Sequence, residues 1–402
     1  MISEPATPSN TTFAELGVDP RLVTELAGSG IETPFPIQAL TVADALAGRD
    51  VCGKAKTGSG KTLAFGIPVL MRTAEAAPKH PAALVLVPTR ELAVQVSDVL
   101  EPLGRAVGRA VAAVYGGADL EQQAKALRRG VDIVIATPGR LIDLVDRGAV
   151  SLDTVGLLVL DEADRMADMG FMPQVDWLLR HMPDKRQTLL FSATLDSAVD
   201  QLVRRHLQDP VFHEVASTQP TVERMQHRFL KVHQMDKARV VATIVGGADK
   251  ALVFVRTKRG ADRLVGDLRE LGVRAAAIHG DLRQGMRERA LAQFTSGKLG
   301  VLVATDVAAR GLDIEGVDVV VHYDPPEDHK AYLHRSGRTA RAGEAGIVVT
   351  LVLWDQELEV ERLQRRVGLH LPIVEVFSND ARLTDLARWG AADVGPLSSS
   401  GG

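Results

Sequence analysis

Short runs rich in Val, Leu, Ile and Ala recur along this chain, each ending in a polar or glycine-rich cluster and each followed by a helix-like stretch. That alternation is the one expected of a parallel α/β sheet. The runs are Ala83–Val87 before PTREL, Val131–Ile135 before ATPGR, Leu157–Leu160 before DEAD and Leu189–Phe191 before SAT. After residue 220 the rhythm resumes, with Ala251–Val255 before RTKRG, Ala275–Ile278 before HGD, Val301–Ala304 before TDVAARG and Val317–His322 before YDPP. At roughly 150 residues per domain, 402 residues hold two or three such units. Between them Asp209–Val222, DPVFHEVASTQPTV, has two prolines, several Ser/Thr and no helical period, which predicts a linker. The expected order is a disordered N-terminus at 1–10, a first unit at 11–210, a linker at 211–222, a second unit at 223–375 and a partly disordered tail at 376–402. Chemistry in open α/β sheets gathers at the carboxyl ends of the strands. Every cluster named above follows a run in that position.

Composition removes several classes of function. Apolar residues at 46% and charged residues at 24% belong to a globular protein. No apolar stretch approaches the roughly 18 residues of a membrane helix, and MISEPATPSN lacks the order of a signal peptide. The single cysteine, Cys52, makes no internal disulfide and no thiolate zinc site, and is expected to be a buried small hydrophobe in a cytoplasmic protein. Residues 1–220 carry 21 Lys+Arg against 27 Asp+Glu, and residues 221–402 carry 26 against 24. Neither half is a polycation, so any nucleic-acid contact must rest on a few placed Arg and Lys side chains and backbone amides. Trp177, Trp354 and Trp389 are isolated and are expected to pack in the interior.

Ala55–Thr62, AKTGSGKT, follows the strand-like RDVCG and precedes the amphipathic LAFGIPVLMRTA. It resembles the Walker A loop with Ala55 at the first glycine position. Such a loop, here Thr57, Gly58, Ser59 and Gly60, wraps amide N–H groups around phosphate, Lys61 reaches the β and γ oxygens, and the Thr62 hydroxyl holds Mg²⁺. Asp161–Asp164, DEAD, ends the strand-like GLLVL. There Asp161 can hold Mg²⁺ through water and Glu162 can orient and deprotonate the attacking water.

With the loop and the acidic tetrad in this order, the chain resembles the DEAD-box ATP-dependent RNA helicases of the bacterial type over about residues 13–375. The resemblance implies two tandem RecA-like domains with ATP, Mg²⁺ and RNA bound across them. GIETPFPIQ at 30–38 resembles the family's Q motif, with Gln38 at the adenine-reading position, Phe13 at the upstream aromatic position, and Phe35 where Thr is commoner. PTREL (Pro88, Thr89, Arg90), Gly116–Gly117 and TPGR (Thr137, Pro138, Gly139, Arg140) resemble the RNA-binding motifs of the first domain. SAT, with Ser192 and Thr194, resembles the segment that couples ATP state to domain closure, its hydroxyls facing the DEAD carboxylates, among them Asp164.

In the second half VFVRT, HGDLRQ and TDVAARGLD match the remaining motifs. That match implies that Arg256, Thr257, Gly280, Thr305 and Arg310 touch the RNA backbone and that Asp313 contacts the nucleotide ribose. HRSGRTAR at 334–341 implies arginine fingers at Arg338 and Arg341, with His334 and Arg335 as the pair that ties the domains together; Ala340 replaces the usual Gly. The expected activity is RNA-stimulated ATP hydrolysis that separates short duplexes or remodels RNA–protein complexes, with sequence-nonspecific RNA as partner, alongside ribosome-assembly or RNA-degradation proteins. A nucleotide-gated RNA clamp that never unwinds carries the same motifs. A DNA helicase shares the phosphate loop, and a metabolic kinase leaves the motifs after residue 250 unexplained.

Overall fold

The computed structural model describes residues 11–55, 58–215, 225–309, 314, 317–339 and 346–389. The chain divides into two compact units, Met1–Ser217 and Thr218–Gly402. The first holds β1 (Val51–Lys54), β2 (Ala83–Leu86), β3 (Val111–Val114), β4 (Ile133–Ala136), β5 (Leu157–Asp161), β6 (Gln187–Ser192) and β7 (Val211–Glu214). The second holds β8 (Gln226–Lys231), β9 (Ala251–Val255), β10 (Ala275–Ile278), β11 (Val301–Thr305), β12 (Val319–His322), β13 (Ile347–Val352) and β14 (Ile373–Glu375).

Each set forms one seven-stranded sheet, in the orders β3-β4-β2-β5-β6-β1-β7 and β10-β11-β9-β12-β13-β8-β14. All pairings are parallel; Val85, for example, faces Ile135 on one side and Val159 on the other. Ranked within its own unit, every strand of the second sheet takes the place of its counterpart in the first. The two units are therefore one topology built twice, as the two blocks of apolar runs predict.

Helices cover both faces of the first sheet, which is why its strands read as unbroken apolar runs. Ala83 and Val85 join Val51, Ile135, Val159, Phe65 and Leu100 in one buried cluster, while Leu84 and Leu86 join Cys52, Val134, Leu160, Leu141 and Val199 in the other. Alternate residues of a strand thus feed opposite cores, each fully buried side chain contributing about 1.5–3 kcal/mol. Cys52 is buried as expected, and burial pushes its thiol up to about 12, so it stays protonated and inert.

Three expectations are corrected. The linker predicted from 211 begins later, because Val211–Glu214 pairs with β1, and Lys54 Nζ meets Glu214 Oε1 across that pair at 2.7 Å. This edge strand has one neighbour and leaves Phe212 exposed, so its apolar signal is weak. The tail expected from 376 is ordered structure as far as residue 389: Val376, Leu383, Leu386 and Trp389 are buried in the second unit's core, and Trp389 Nε1 donates to the Arg382 carbonyl at 2.6 Å. Trp354, expected to pack, is 79% exposed in the turn after β13. Residues 1–10, expected to be disordered, and residues 390–402 of the tail expected at 376–402 lie outside the described residues.

Candidate functional site

The helix Lys61–Arg72 follows β1, and its N-cap, Gly60, has φ 84°. Gly58, at φ 79°, is also left-handed, a conformation in which a side chain would be strained. These two glycines bring the loop's backbone round to the helix N-terminus, where unpaired amides and the helix dipole favour an anion. Lys61 is 7% exposed, and its Nζ has no hydrogen-bond partner among the described residues. A buried ammonium left this way is costly, and a triphosphate seated on the loop is the partner its chemistry fits.

Asp161 ends β5 and Glu162 follows it with φ 52°, left-handed although it is not glycine. That backbone costs on the order of 1–3 kcal/mol and re-aims the carboxylate at the strand end. The Glu162 N–H donates to Asp161 Oδ1 at 2.9 Å, and Arg165 Nη1 donates to Glu162 Oε2 from one turn on. Burial raises the Asp161 carboxyl to about 6, against the pull of the Lys61 ammonium and with the help of Glu162 and Asp164. Such a carboxyl gains from a cation placed beside it.

SAT reaches the tetrad as the resemblance implied, with one refinement. The Thr194 N–H and Oγ1 donate to Asp164 Oδ2 at 3.1 and 3.3 Å. Ser192 Oγ instead accepts from the Asp164 N–H at 3.2 Å and donates to the Thr194 carbonyl at 2.7 Å. Gln38 is fully buried; its Oε1 accepts from the Phe35 N–H at 2.8 Å and its Nε2 donates to the Gly60 carbonyl at 2.9 Å. The Q motif is thus bonded to the phosphate loop. Phe13, expected at the nucleotide, is 1% exposed and packed in the first core.

The loops matched to RNA contact follow β2, β3 and β4, neighbours at one edge of the first sheet. Thr89 caps the helix Arg90–Val107, its Oγ1 accepting from the Leu92 N–H. The Arg90 guanidinium lies across Gly116 and Gly117: a methyl on Gly117 would sit 2.2 Å from Arg90 Nη1. Arg140 Nη1 donates to the Ala118 carbonyl at 3.2 Å and to Gln123 Oε1 at 2.9 Å, so it shapes the glycine loop. Pro88 is buried, Thr137 begins the helix Pro138–Asp146, and Gly139 stands exposed in its first turn. The result is a row of helix N-termini, glycines and guanidinium groups, suited to phosphate oxygens.

In the second unit the matched loops follow β9, β10 and β11, the same three places. Thr257 caps the helix Lys258–Glu270, accepting from the Gly260 N–H at 3.0 Å, and Arg256 is exposed beside it. Gly280 is exposed, and Lys258, which the motif reading passed over, lies against it with its ammonium 2.6 Å from Asp281 Oδ1. Thr305 is buried at the end of β11.

The Arg335 fork binds both Asp306 oxygens at 2.6 Å, Nη1 donates to the Asp324 carbonyl at 2.8 Å, and the guanidinium stacks over Phe254 at 5.2 Å. All of these partners belong to the second unit, where the planar fork matches the carboxylate bidentately. His334 lies half-buried in the same helix, and Arg338 is 8% exposed just beyond it. Thr57, Arg310, Asp313 and Arg341 lie outside the described residues. Arg165, Asp306 and Asp324 were missed; for Arg165 the signal was an arginine three residues after the base in DEADR.

Comparison with known proteins agrees with this geometry. Residues 35–202 match the DEAD/DEAH box helicase family and residues 236–343 the helicase conserved C-terminal domain. The chain is 43% identical over 346 residues to the DEAD-box ATP-dependent RNA helicase CshA of Geobacillus kaustophilus, covering 85% of this chain and 73% of that protein. It is 40% identical over 388 residues to the ATP-dependent RNA helicase RhlB of Sodalis glossinidius, covering 93% and 92%. Among solved structures, S. cerevisiae Dbp5 bound to RNA and ADP BeF3 superposes with a TM-score of 0.79 at 29% identity, over 92% of this chain and 97% of that one. The twice-built sheet, the glycine loop with its buried lysine and the acidic tetrad bonded to SAT therefore have one reading: the chain belongs to the family of DEAD-box ATP-dependent RNA helicases.

Proposed function

We propose that the chain is an RNA-stimulated ATPase of the cytoplasm that separates short RNA duplexes or remodels RNA–protein complexes. The observation that carries this is the buried Lys61 ammonium at the left-handed glycine loop, without a hydrogen-bond partner among the described residues, with the Asp161 carboxyl raised by burial nearby. Lys61 neutralises charge on the transferred phosphoryl group, and Glu162, held by Arg165, orients and deprotonates the attacking water. Mg²⁺ would supply charge neutralisation at the phosphates, and Thr62 and Asp161 are the residues that would hold it, since this ion takes few protein ligands and keeps several waters. Loss of the γ-phosphate is read by Asp164 and passed to Thr194 through the two bonds already described. Arg338 and Arg341 act on the transition state from the second unit, so turnover needs the whole chain.

RNA is held through phosphate and sugar by Arg90, Gly117, Gly139, Arg256, Thr257 and Gly280, so binding is expected to be without sequence preference. No helix among the described residues is long and apolar enough to cross a membrane. The deciding experiment is ATP turnover with no nucleic acid, single-stranded RNA, duplex RNA and DNA, alongside strand separation of a short RNA duplex. Stimulation by RNA with ATP-dependent separation is expected; turnover equally stimulated by DNA, or indifferent to RNA, refutes the reading.

A further inference from the structure

Phe35 is 54% exposed, whereas Phe13, Phe65 and Phe191, the other aromatic side chains of this region, are at most 1% exposed in the core. A methyl placed on Gly60 would lie 2.6 Å from Phe35 Cδ2 and 2.5 Å from Gln38 Nε2, so ring edge and amide abut the same face of the phosphate loop. Each amide atom of Gln38 makes one bond to backbone and keeps a second donor or acceptor. Those spare groups are covered, because Gln38 has no exposed surface. The exposed ring of Phe35 stands beside that cover, and an exposed side chain of this kind changes rotamer in nanoseconds or less.

From this we infer that Phe35 is the nucleobase-stacking residue of this helicase: its ring turns off Gly60 as the base reaches Gln38 and then lies against the face of the base. This deepens the ATPase reading and rests on it. Stacking is tolerant of base identity, so Phe35 would set affinity for any purine while Gln38 sets the choice of adenine.

The test compares wild type with F35A and F35W for binding of ADP, GDP and tripolyphosphate, the last lacking a base. Loss of one base–aromatic stack predicts that F35A weakens ADP and GDP by on the order of tenfold each and leaves tripolyphosphate unchanged. F35W should restore affinity, and its fluorescence should change with ADP and not with tripolyphosphate. An unchanged ADP affinity in F35A, or an equal loss for tripolyphosphate, would overturn the inference, the second showing that the ring acts on the phosphate loop instead. Wild type that binds tripolyphosphate but no ADP overturns it too, and wild type that binds neither removes the ATPase reading along with it.

Discussion

Replacing Asp161 by Asn should make the protein without nucleotide more stable at neutral pH while abolishing turnover. Burial raises this carboxyl from 3.8 to about 6, so the folded state holds its proton more tightly than the unfolded chain does. Below about pH 4 both states are protonated and nothing is lost. Between about pH 4 and 6 the unfolded chain ionises first, and stability falls with rising pH; above about 6 the loss is complete. Two units at about 1.4 kcal/mol each set its ceiling at about 3 kcal/mol. The Asn side chain keeps the oxygen that accepts the Glu162 N–H and carries no charge to desolvate. In a unit of this size the gain corresponds to roughly 5–10 °C. Scanning calorimetry from pH 4 to 8 would follow the transition that ADP raises in wild type. D161N should show a flatter pH dependence and a higher midpoint at pH 8. Parallel profiles, or a D161N midpoint below wild type at pH 8, would refute the argument that Asp161 is held at a cost in readiness for a cation.

Three further outcomes follow from the site. K61A should lose ATP turnover, and E162Q should bind ATP while hydrolysing it slowly; wild-type turnover in E162Q would show that another group handles the water. G117A introduces a side chain at φ 91° and against the Arg90 guanidinium, so RNA affinity should fall several-fold with ADP affinity unchanged, as titration with each ligand would show. R335K replaces a fork by a point charge at Asp306 and should cost about 2 kcal/mol in the second unit's urea transition; no change there would mean that the pair is not part of that unit's stability.

Much of this fold was legible because strand ends carry their own punctuation. Runs such as Ala83–Val87 and Ala251–Val255 stop at polar residues that cap the next helix, and Thr89 and Thr257 do so in the structure. The edge strands were not legible. Val211–Glu214 is only half covered, so its residues never form an apolar run, and the preceding Pro210 and its polar neighbours outweigh the rest. Val111–Val114 reads VAAV, and alanine says little for a strand. At the site, spacing put three arginines on one stretch, yet it could not say which anion each would find; Arg335 found Asp306, twenty-nine residues earlier. Sequence position likewise marked Phe13 as an aromatic without showing that the core had already taken it.

The duplication shows what makes one unit a nucleotide binder. Lys61 opens the helix after β1, and Lys237 opens the helix after β8, the counterpart strand. Asp161 closes β5, and Asp324 lies two residues beyond β12, again the counterpart. In the second unit the pair has closed on itself: Lys237 is 2% exposed, its ammonium 3.2 Å from Asp324 Oδ1 and 4.1 Å from the centre of the Tyr323 ring. The loop before it, VHQMD, has no glycine, and Asp236 is engaged by the N–H and hydroxyl of Ser378. Without left-handed residues that loop cannot turn its amides onto a phosphate, and its lysine is already neutralised by a neighbour. In the first unit Gly58 and Gly60 are left-handed, and Lys61 stays close enough to Asp161 to shift its carboxyl without forming a hydrogen bond. The same sheet therefore serves two ends. A lysine–aspartate pair that is bonded fastens a fold, and one kept apart by a glycine loop leaves a positive charge and a raised carboxyl waiting for phosphate and cation.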